Sequence, residues 1–451
     1  MVVDTPNQYR GKNPLILDFT TWLRHHTERP VNRLMTSRMH ITRWRFYGWK
    51  IVAVAFVAQM LGMGSTVYAF GLFVKPLAAE FDVSRGTLNT GFMLFMIGMG
   101  IFSPLIGRLL DRYPMRYLML GGALLLGFGL ATVAYSKHLT TMGVLILLPI
   151  AIGATATGPL VASTLVANWF DRLRGQAMGI SSVATSLGGA LVTPIIAYNI
   201  EHFGWDHALV IQGVVIAVIT GTLSLIVVHN RPAELGLTPD GEPLRHETSL
   251  TSTPNGMARD WLRDRNFWMI GFSVGLCFAI SQSFLISLIP YATDIGIGLK
   301  EATLLLACSS IASIAGKIVI GALSDRIDKR LLMLIVVGCT LLQMGVLIAE
   351  PGFVPLLIVC TVAGFAIGGE LPIWGALVAD CFGAARYGTI MGAMSAINPF
   401  LGLLAVYFIG SSFDNTGNYT QAFTVYMLVA AIAGVLALQI RVPQSNSVSS
   451  R

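Results

Sequence analysis

The 451-residue sequence predicts an all-α membrane protein with twelve transmembrane helices in two pseudo-symmetric six-helix bundles. Three observations predict it. The composition is 54% hydrophobic and only 12% charged, which excludes a water-soluble globule. The apolar residues gather into twelve runs, each near the roughly 20 residues that carry a helix across ~30 Å of hydrocarbon. One short charged phrase is also written twice, as Gly107-x-Leu109-x-Asp111-Arg112 with Arg116, and 214 positions later as Gly321-x-Leu323-x-Asp325-Arg326 with Arg330. Forty-seven glycines without strand-like alternation fit closely packed helices and disfavour an outer-membrane barrel.

Residues 1–46 read as a basic arm that lacks the long apolar stretch of a cleavable signal peptide. The first bundle, 47–228, carries apolar runs at 48–74, 87–107, 117–136, 142–167, 175–200 and 207–228. A polar segment, 229–265, follows; its four prolines and Ser/Thr cluster make it a surface linker rather than a domain. The second bundle, 266–441, carries runs at 267–292, 301–322, 331–349, 354–379, 387–411 and 421–440, and 442–451 form a short tail. All five cysteines lie in or at the ends of apolar runs of the second bundle, with no CxxC or Cys/His spacing. Neither a metal site nor a disulfide framework is supported, and no cofactor is expected.

Orientation follows from the lysines and arginines outside the runs. On the side of the N-terminus they number 24, against four on the other side, so both termini are expected in the cytoplasm of a multi-pass plasma (inner) membrane protein. The net charge of +7 is thereby explained by the membrane rule and needs no nucleic-acid partner. No nucleophile–base pair, phosphate-binding loop or metal box emerges. The chain is read as no enzyme, and its only standing neighbours are membrane lipids around a monomer.

The doubled phrase resembles the loop motif between helices two and three of the major facilitator superfamily, Gly-x-Leu-x-Asp-Arg-x-x-x-Arg, and the resemblance covers about 48–440. A weaker duplication supports it: Phe170 to Gly179, with Arg174 and Gly175, echoes Phe382 to Gly392, with Arg386 and Gly388. Within the superfamily, Tyr47-Gly48-Trp49, the stretch from Tyr68 through Gly71 to Lys75-Pro76, and Trp169-Phe170 look like the monocarboxylate and oxalate/formate transporter branch. The resemblance implies a twelve-helix transporter of small organic anions, coupled to a proton or to a counter-anion.

If the halves are related by a two-fold along the membrane normal, each charged knot faces the other half. Asp111 is then expected beside Arg386 at the start of helix eleven, and Asp325 beside Arg174 at the start of helix five. There the carboxylates meet helix N-termini and arginines and latch the cytoplasmic side shut. Arg112, Arg116, Arg326 and Arg330 belong to the same gating set. A plain topology signal in a solvated loop is the competing reading.

Lys317 lies eight residues before Asp325, about 12 Å deep at 1.5 Å per residue, near the bilayer middle where an ammonium is costly. Members of the resembled branch often carry an arginine here; Gly316-Lys317 keeps the charge but loses the bidentate fork. The alternative is a lysine that snorkels to the surface. Glu370, after Gly368-Gly369, sits at similar depth as a candidate for proton coupling, for pairing with Lys317, or for a structural contact. The acidic residue that some relatives place one turn before the helix-eight cation is here Ser313, which weakens a proton-symport reading. Tyr68, Gln282, Tyr291 and Asn398 are polar residues within spans, candidates to line a substrate cavity or to bond neighbouring helices. Ser181, Ser182, Thr185 and Ser186 are read as small packing residues of helix five.

The expected function is secondary transport of small, monocarboxylate-like organic anions by alternating access, through proton coupling or anion exchange. A drug or metabolite efflux antiporter of the same fold is the alternative, disfavoured because helix five reads Gly188-Gly189 without the Gly-Pro pair usual in efflux members. From another class, a transport-inactive receptor or sensor is disfavoured by the two intact knots and the mid-depth charges.

Overall fold

The computed structural model describes residues 46–241 and 260–442; most of the basic arm, the rest of the linker and the end of the tail lie outside them. Every regular element among the described residues is helical, and twelve helices are long and apolar enough to cross a membrane. They are α1 Gly48–Tyr68, α2 Gly86–Arg112, α3 Met115–Ala134, α4 Leu139–Trp169, α5 Arg174–Phe203, α6 Trp205–Val227, α7 Arg265–Asp294, α8 Leu299–Ser324, α9 Lys329–Ile348, α10 Phe353–Phe382, α11 Tyr387–Thr416 and α12 Thr420–Leu438.

Local chemistry sets where these helices start and bend. Ser84, Asp264 and Asp328 cap α2, α7 and α9 by accepting backbone N–H bonds from Thr87, Asn266 and Arg330. Gly204, at φ +87, makes the tight turn from α5 into α6 that an L side chain resists. Pro149 lies in a π-helical turn of α4, Ile146–Ile150, and Pro194 follows another in α5, Gly188–Val192. A proline lacks the N–H of the α ladder and crowds the preceding turn, and one extra residue relieves both. A third π turn, Gly64–Tyr68, ends α1, and a separate helix continues over Phe70–Phe81, so the first span is shorter than its apolar run. α10 breaks at Gly369, immediately before Glu370.

The two bundles meet at the end that carries the doubled phrase, here the motif face. There α2 crosses α11 and α5 crosses α8, backbone against backbone. A Cβ on Gly107 would overlap the Gly388 carbonyl, and one on Gly321 would stand 2.7 Å from the Gly175 carbonyl. One hydrophobic cluster spans both bundles at this face and includes Trp169, Phe170 and Met178 of the first with Trp374, Tyr387 and Met391 of the second. Toward the other face the core divides into two clusters, one in each bundle. The halves are therefore joined at the motif face and parted beyond mid-depth.

The first part of the linker is fastened under the first bundle. The Trp169 indole donates to the His229 carbonyl at 2.9 Å, and Asn230 Oδ1 accepts from the Met115 amide at 2.7 Å. Two 3-10 turns follow, Pro232–Leu235 and Pro239–Gly241. Residues 229–241 of the linker thus form a docked, hydrogen-bonded segment.

Candidate functional site

The motif face holds two matching carboxylate–amide contacts. Asp111 Oδ1 accepts from the Gly388 amide at 2.9 Å and Oδ2 from the Thr389 amide at 2.7 Å. Asp325 Oδ1 accepts from Gly175 at 2.6 Å and Oδ2 from Gln176 at 2.9 Å. Each aspartate thus crosses to the other bundle and binds the first turn of α11 or α5, where unsatisfied N–H groups and the helix dipole favour an anion. The helix starts are those expected from sequence, and the bonds from each aspartate run to the N-terminal backbone amides there. Asp240 of the linker takes the N–H groups just upstream, accepting from Asp171 at 3.0 Å and Arg172 at 2.7 Å. Burial holds the Asp325 carboxyl above its ordinary value, opposed by the two amides and Lys329 and reinforced by Asp240.

The basic residues divide their duties. Arg174 lies 3.5 Å from Asp380 across the interface and 3.2 Å from Asp171, while Lys329 reaches the other Asp380 oxygen at 2.6 Å. Arg330 pairs with Asp328 at 2.7 Å, and Arg116 lies over the Tyr117 ring. Arg386 occupies the residue before α11. Arg112 and Arg326 make no ion pair among the described residues.

Above these contacts, at mid-depth, Lys317 is 8% exposed on α8. Its Nζ donates to Thr185 Oγ1 at 2.8 Å and to Ser186 Oγ at 2.6 Å, both on α5 of the other bundle. Thr185 spends its own O–H on the Ser182 carbonyl at 2.8 Å. Ser186 is partly exposed, and its O–H has no acceptor among the described residues. One turn on, Gly189 leaves room for the half-exposed Tyr68 ring, whose Cδ1 would stand 2.7 Å from a Cβ placed there. This fit arises because the π turns of α1 and α5 abut: a Cβ on Gly188 would lie 2.6 Å from the Met60 carbonyl and 3.0 Å from the Gly64 nitrogen.

Thr185 and Ser186 are the site residues that sequence reading missed. The signal was available. Gly175 is fixed opposite Asp325, and α5 runs away from the motif face as α8 runs toward it, so counting back eight residues to Lys317 means counting on about as many from Gly175.

The other candidates fall elsewhere. Glu370 is 2% exposed at the α10 break and accepts from Ser281 Oγ at 2.8 Å; no ion pair joins it to Lys317 among the described residues. Tyr291 is not beside the cavity: its hydroxyl donates to the Leu347 carbonyl at 2.6 Å and its ring packs edge-on against Tyr419 and Phe423 inside the second bundle. It is a core residue because its one polar atom is satisfied within that bundle. Asn398 is buried with Oδ1 unpartnered near Gly275 of α7, and Gln282 is exposed on α7. Neither contacts Lys317.

A family model described as the Major Facilitator Superfamily matches residues 53–352 and 271–451. An uncharacterized MFS-type transporter of Bacillus subtilis (strain 168), YcxA, is 24% identical over 419 residues, covering 86% of this chain and 94% of that protein. Monocarboxylate transporter 11 of Mus musculus is 25% identical over 390 residues, 84% of each chain. Among solved structures, the proton:xylose symporter XylE bound to 6-bromo-6-deoxy-D-glucose superposes with a TM-score of 0.65 at 16% identity, over 88% of this chain and 96% of that one, a likeness of fold.

Proposed function

The chain belongs to the major facilitator superfamily, and from that premise we propose that it is a secondary active transporter of small monocarboxylate-like anions, working by alternating access. The observation that carries the reading is Lys317. An ammonium at mid-depth costs about 2.5–3.5 kcal/mol on insertion scales. Here it faces only two hydroxyls, with no carboxylate in ion-pair range among the described residues. A cation kept at that cost without a counter-charge is a binding site for an anionic cargo. Similarity to monocarboxylate transporter 11 supports the same substrate class.

The excess of Lys and Arg on the motif side supports a cytoplasmic motif face with both termini inside. The parted face is then external, and the conformation is outward-open. In the proposed cycle the anion reaches Lys317 from outside, the halves rock, and the Asp111 and Asp325 contacts release the first turns of α11 and α5. Glu370, buried on α10 with a single hydroxyl donor, is the proposed proton carrier if coupling is to protons; exchange for a second anion is the other mode.

Uptake of labelled acetate, L-lactate, pyruvate and oxalate into proteoliposomes, with and without a pH gradient, tests this reading. Lys317→Ala is expected to lose uptake of every anion and Lys317→Arg to restore part of it. Wild-type uptake by Lys317→Ala would remove the central residue of the proposal.

A further inference from the structure

We infer that Ser186 is a cargo-binding residue, and that the transported carboxylate bridges the two bundles by taking one bond from Lys317 and one from the Ser186 hydroxyl. The inference rests on the anion reading above and adds a second donor, from the other half of the molecule.

The argument is a count of donors. A lysine ammonium has three N–H groups and no acceptor. Two go to Thr185 and Ser186, so one is left for a ligand. Each hydroxyl that accepts from Lys317 retains an O–H to give. Thr185 gives its own to the Ser182 carbonyl, closing its account within α5. Ser186 has no such acceptor among the described residues and is partly exposed, one turn from Gly189, which packs against the half-exposed Tyr68 ring. The site therefore offers two open donors on atoms 2.6 Å apart, one charged on α8 and one neutral on α5. A carboxylate has two acceptor oxygens on one carbon and engages both at once. A cargo with a single acceptor leaves one donor unpaired in a desolvated site, which costs affinity.

The placement also gives the cargo a mechanical role. Gly179, two turns toward the motif face, packs against the Lys317 carbonyl, so the α5–α8 crossing is tight up to the site. A ligand spanning Lys317 and Ser186 adds to the direct Lys317–Thr185 and Lys317–Ser186 bonds that already join the bundles at the top of that crossing.

The test compares KM and kcat for the best-transported of acetate, L-lactate, pyruvate and oxalate in full-length wild-type protein, Ser186→Ala, Ser186→Thr, Thr185→Val and Lys317→Ala, all in proteoliposomes. Ser186→Ala removes an acceptor for Lys317 and a donor for cargo, whereas Thr185→Val removes an acceptor for Lys317 and a bond within α5 but no donor for cargo. Ser186→Ala is expected to raise KM about tenfold, the effect of one hydrogen bond to a charged group. Thr185→Val is expected to raise it no more than about threefold, and Ser186→Thr to return it to within about twofold of wild type. As a second readout, Ser186→Cys is expected to react with an anionic thiol reagent added outside, and cargo to slow that reaction. Equal KM values for Ser186→Ala and Thr185→Val, with Lys317→Ala inactive, overturn the bridge and leave the anion reading standing. Wild-type uptake by Lys317→Ala, or no uptake of any of the four anions by wild type, overturns both.

Discussion

The two helix crossings at the motif face, α2 with α11 and α5 with α8, are near copies at one depth and different at the next. At the interface each has an aspartate bonded to two backbone amides in the first turn of the opposing helix and glycines that bring the backbones together. Eight residues deeper, where α8 carries Lys317, α2 carries Ser103, whose hydroxyl donates to the Met99 carbonyl of its own helix. Opposite them, Thr185 and Ser186 on α5 correspond to Asn398 and Pro399 on α11, by the register that matches Gly175 with Gly388. The lesson is a division of labour. Closing a face takes two equivalent contacts, because rocking about a two-fold loads both crossings alike. Binding one small anion takes one cation, and a second would add a charge that nothing neutralises.

The largest effect should come from erasing the difference. Lys317→Ser makes the second crossing resemble the first, and anion uptake is expected to fall at least ~100-fold, about 2.8 kcal/mol at 1.4 kcal/mol per decade. Ser103→Ala, at the equivalent place in the first crossing, is expected to stay within about twofold, since it removes only a bond within one helix. Initial rates for the two variants at matched protein levels decide it. Comparable losses would mean that both crossings contribute to the binding site.

A smaller effect should come from breaking the likeness. Asp111→Asn and Asp325→Asn each replace an acceptor oxygen with an NH2 group that faces a backbone donor. Each is expected to cost about 1 kcal/mol of the closed motif face, at the low end for a partly exposed contact. Distances between spin labels across that face should show a roughly fivefold rise in the open population, similar for the two variants. A large shift in only one would assign gating to a single crossing. Because the partners are amides, reversing Arg386 is not expected to rescue a reversed Asp111.

What the sequence made legible follows the same division. Apolar run lengths and the repeated phrase predicted twelve helices in two halves, because span length and charge placement are set by the bilayer and not by neighbouring side chains. The pairing of Asp111 and Asp325 with helix N-termini of the other half is legible because the repeat places each knot opposite a helix start, but which amides make the contact has no residue signature. Tyr291 read as a polar residue in a span. Its satisfaction by the Leu347 carbonyl depends on which helix faces it, and that is fixed by packing rather than by the local run. Thr185 and Ser186 looked like packing residues until depth was counted from the knot, which turns two small side chains into the companions of a charge.

The least expected difference lies at the end of each repeated phrase. In the second copy Asp328 caps α9, accepting from the Arg330 amide at 2.9 Å and pairing with its guanidinium. In the first copy the matching residue is Pro114, which has no side-chain acceptor, and the Met115 amide is taken instead by Asn230 of the linker at 2.7 Å. An orphan donor at each helix start is thus satisfied from within the loop in one bundle and from the linker in the other. Asp328→Ala and Asn230→Ala are each expected to lower stability by about 1 kcal/mol or less. Their pH dependence should differ. Arg330 holds the Asp328 carboxyl below its ordinary value, so its contribution is present above the unfolded carboxylate value and fades as pH falls through the lowered one. Asn230 does not titrate. Thermal unfolding in detergent at neutral and at strongly acidic pH should therefore show the gap between wild type and Asp328→Ala closing on acidification while the gap to Asn230→Ala persists. If both gaps close together, the linker bond depends on a titrating partner, and the two starts are capped by one electrostatic system rather than two independent ones.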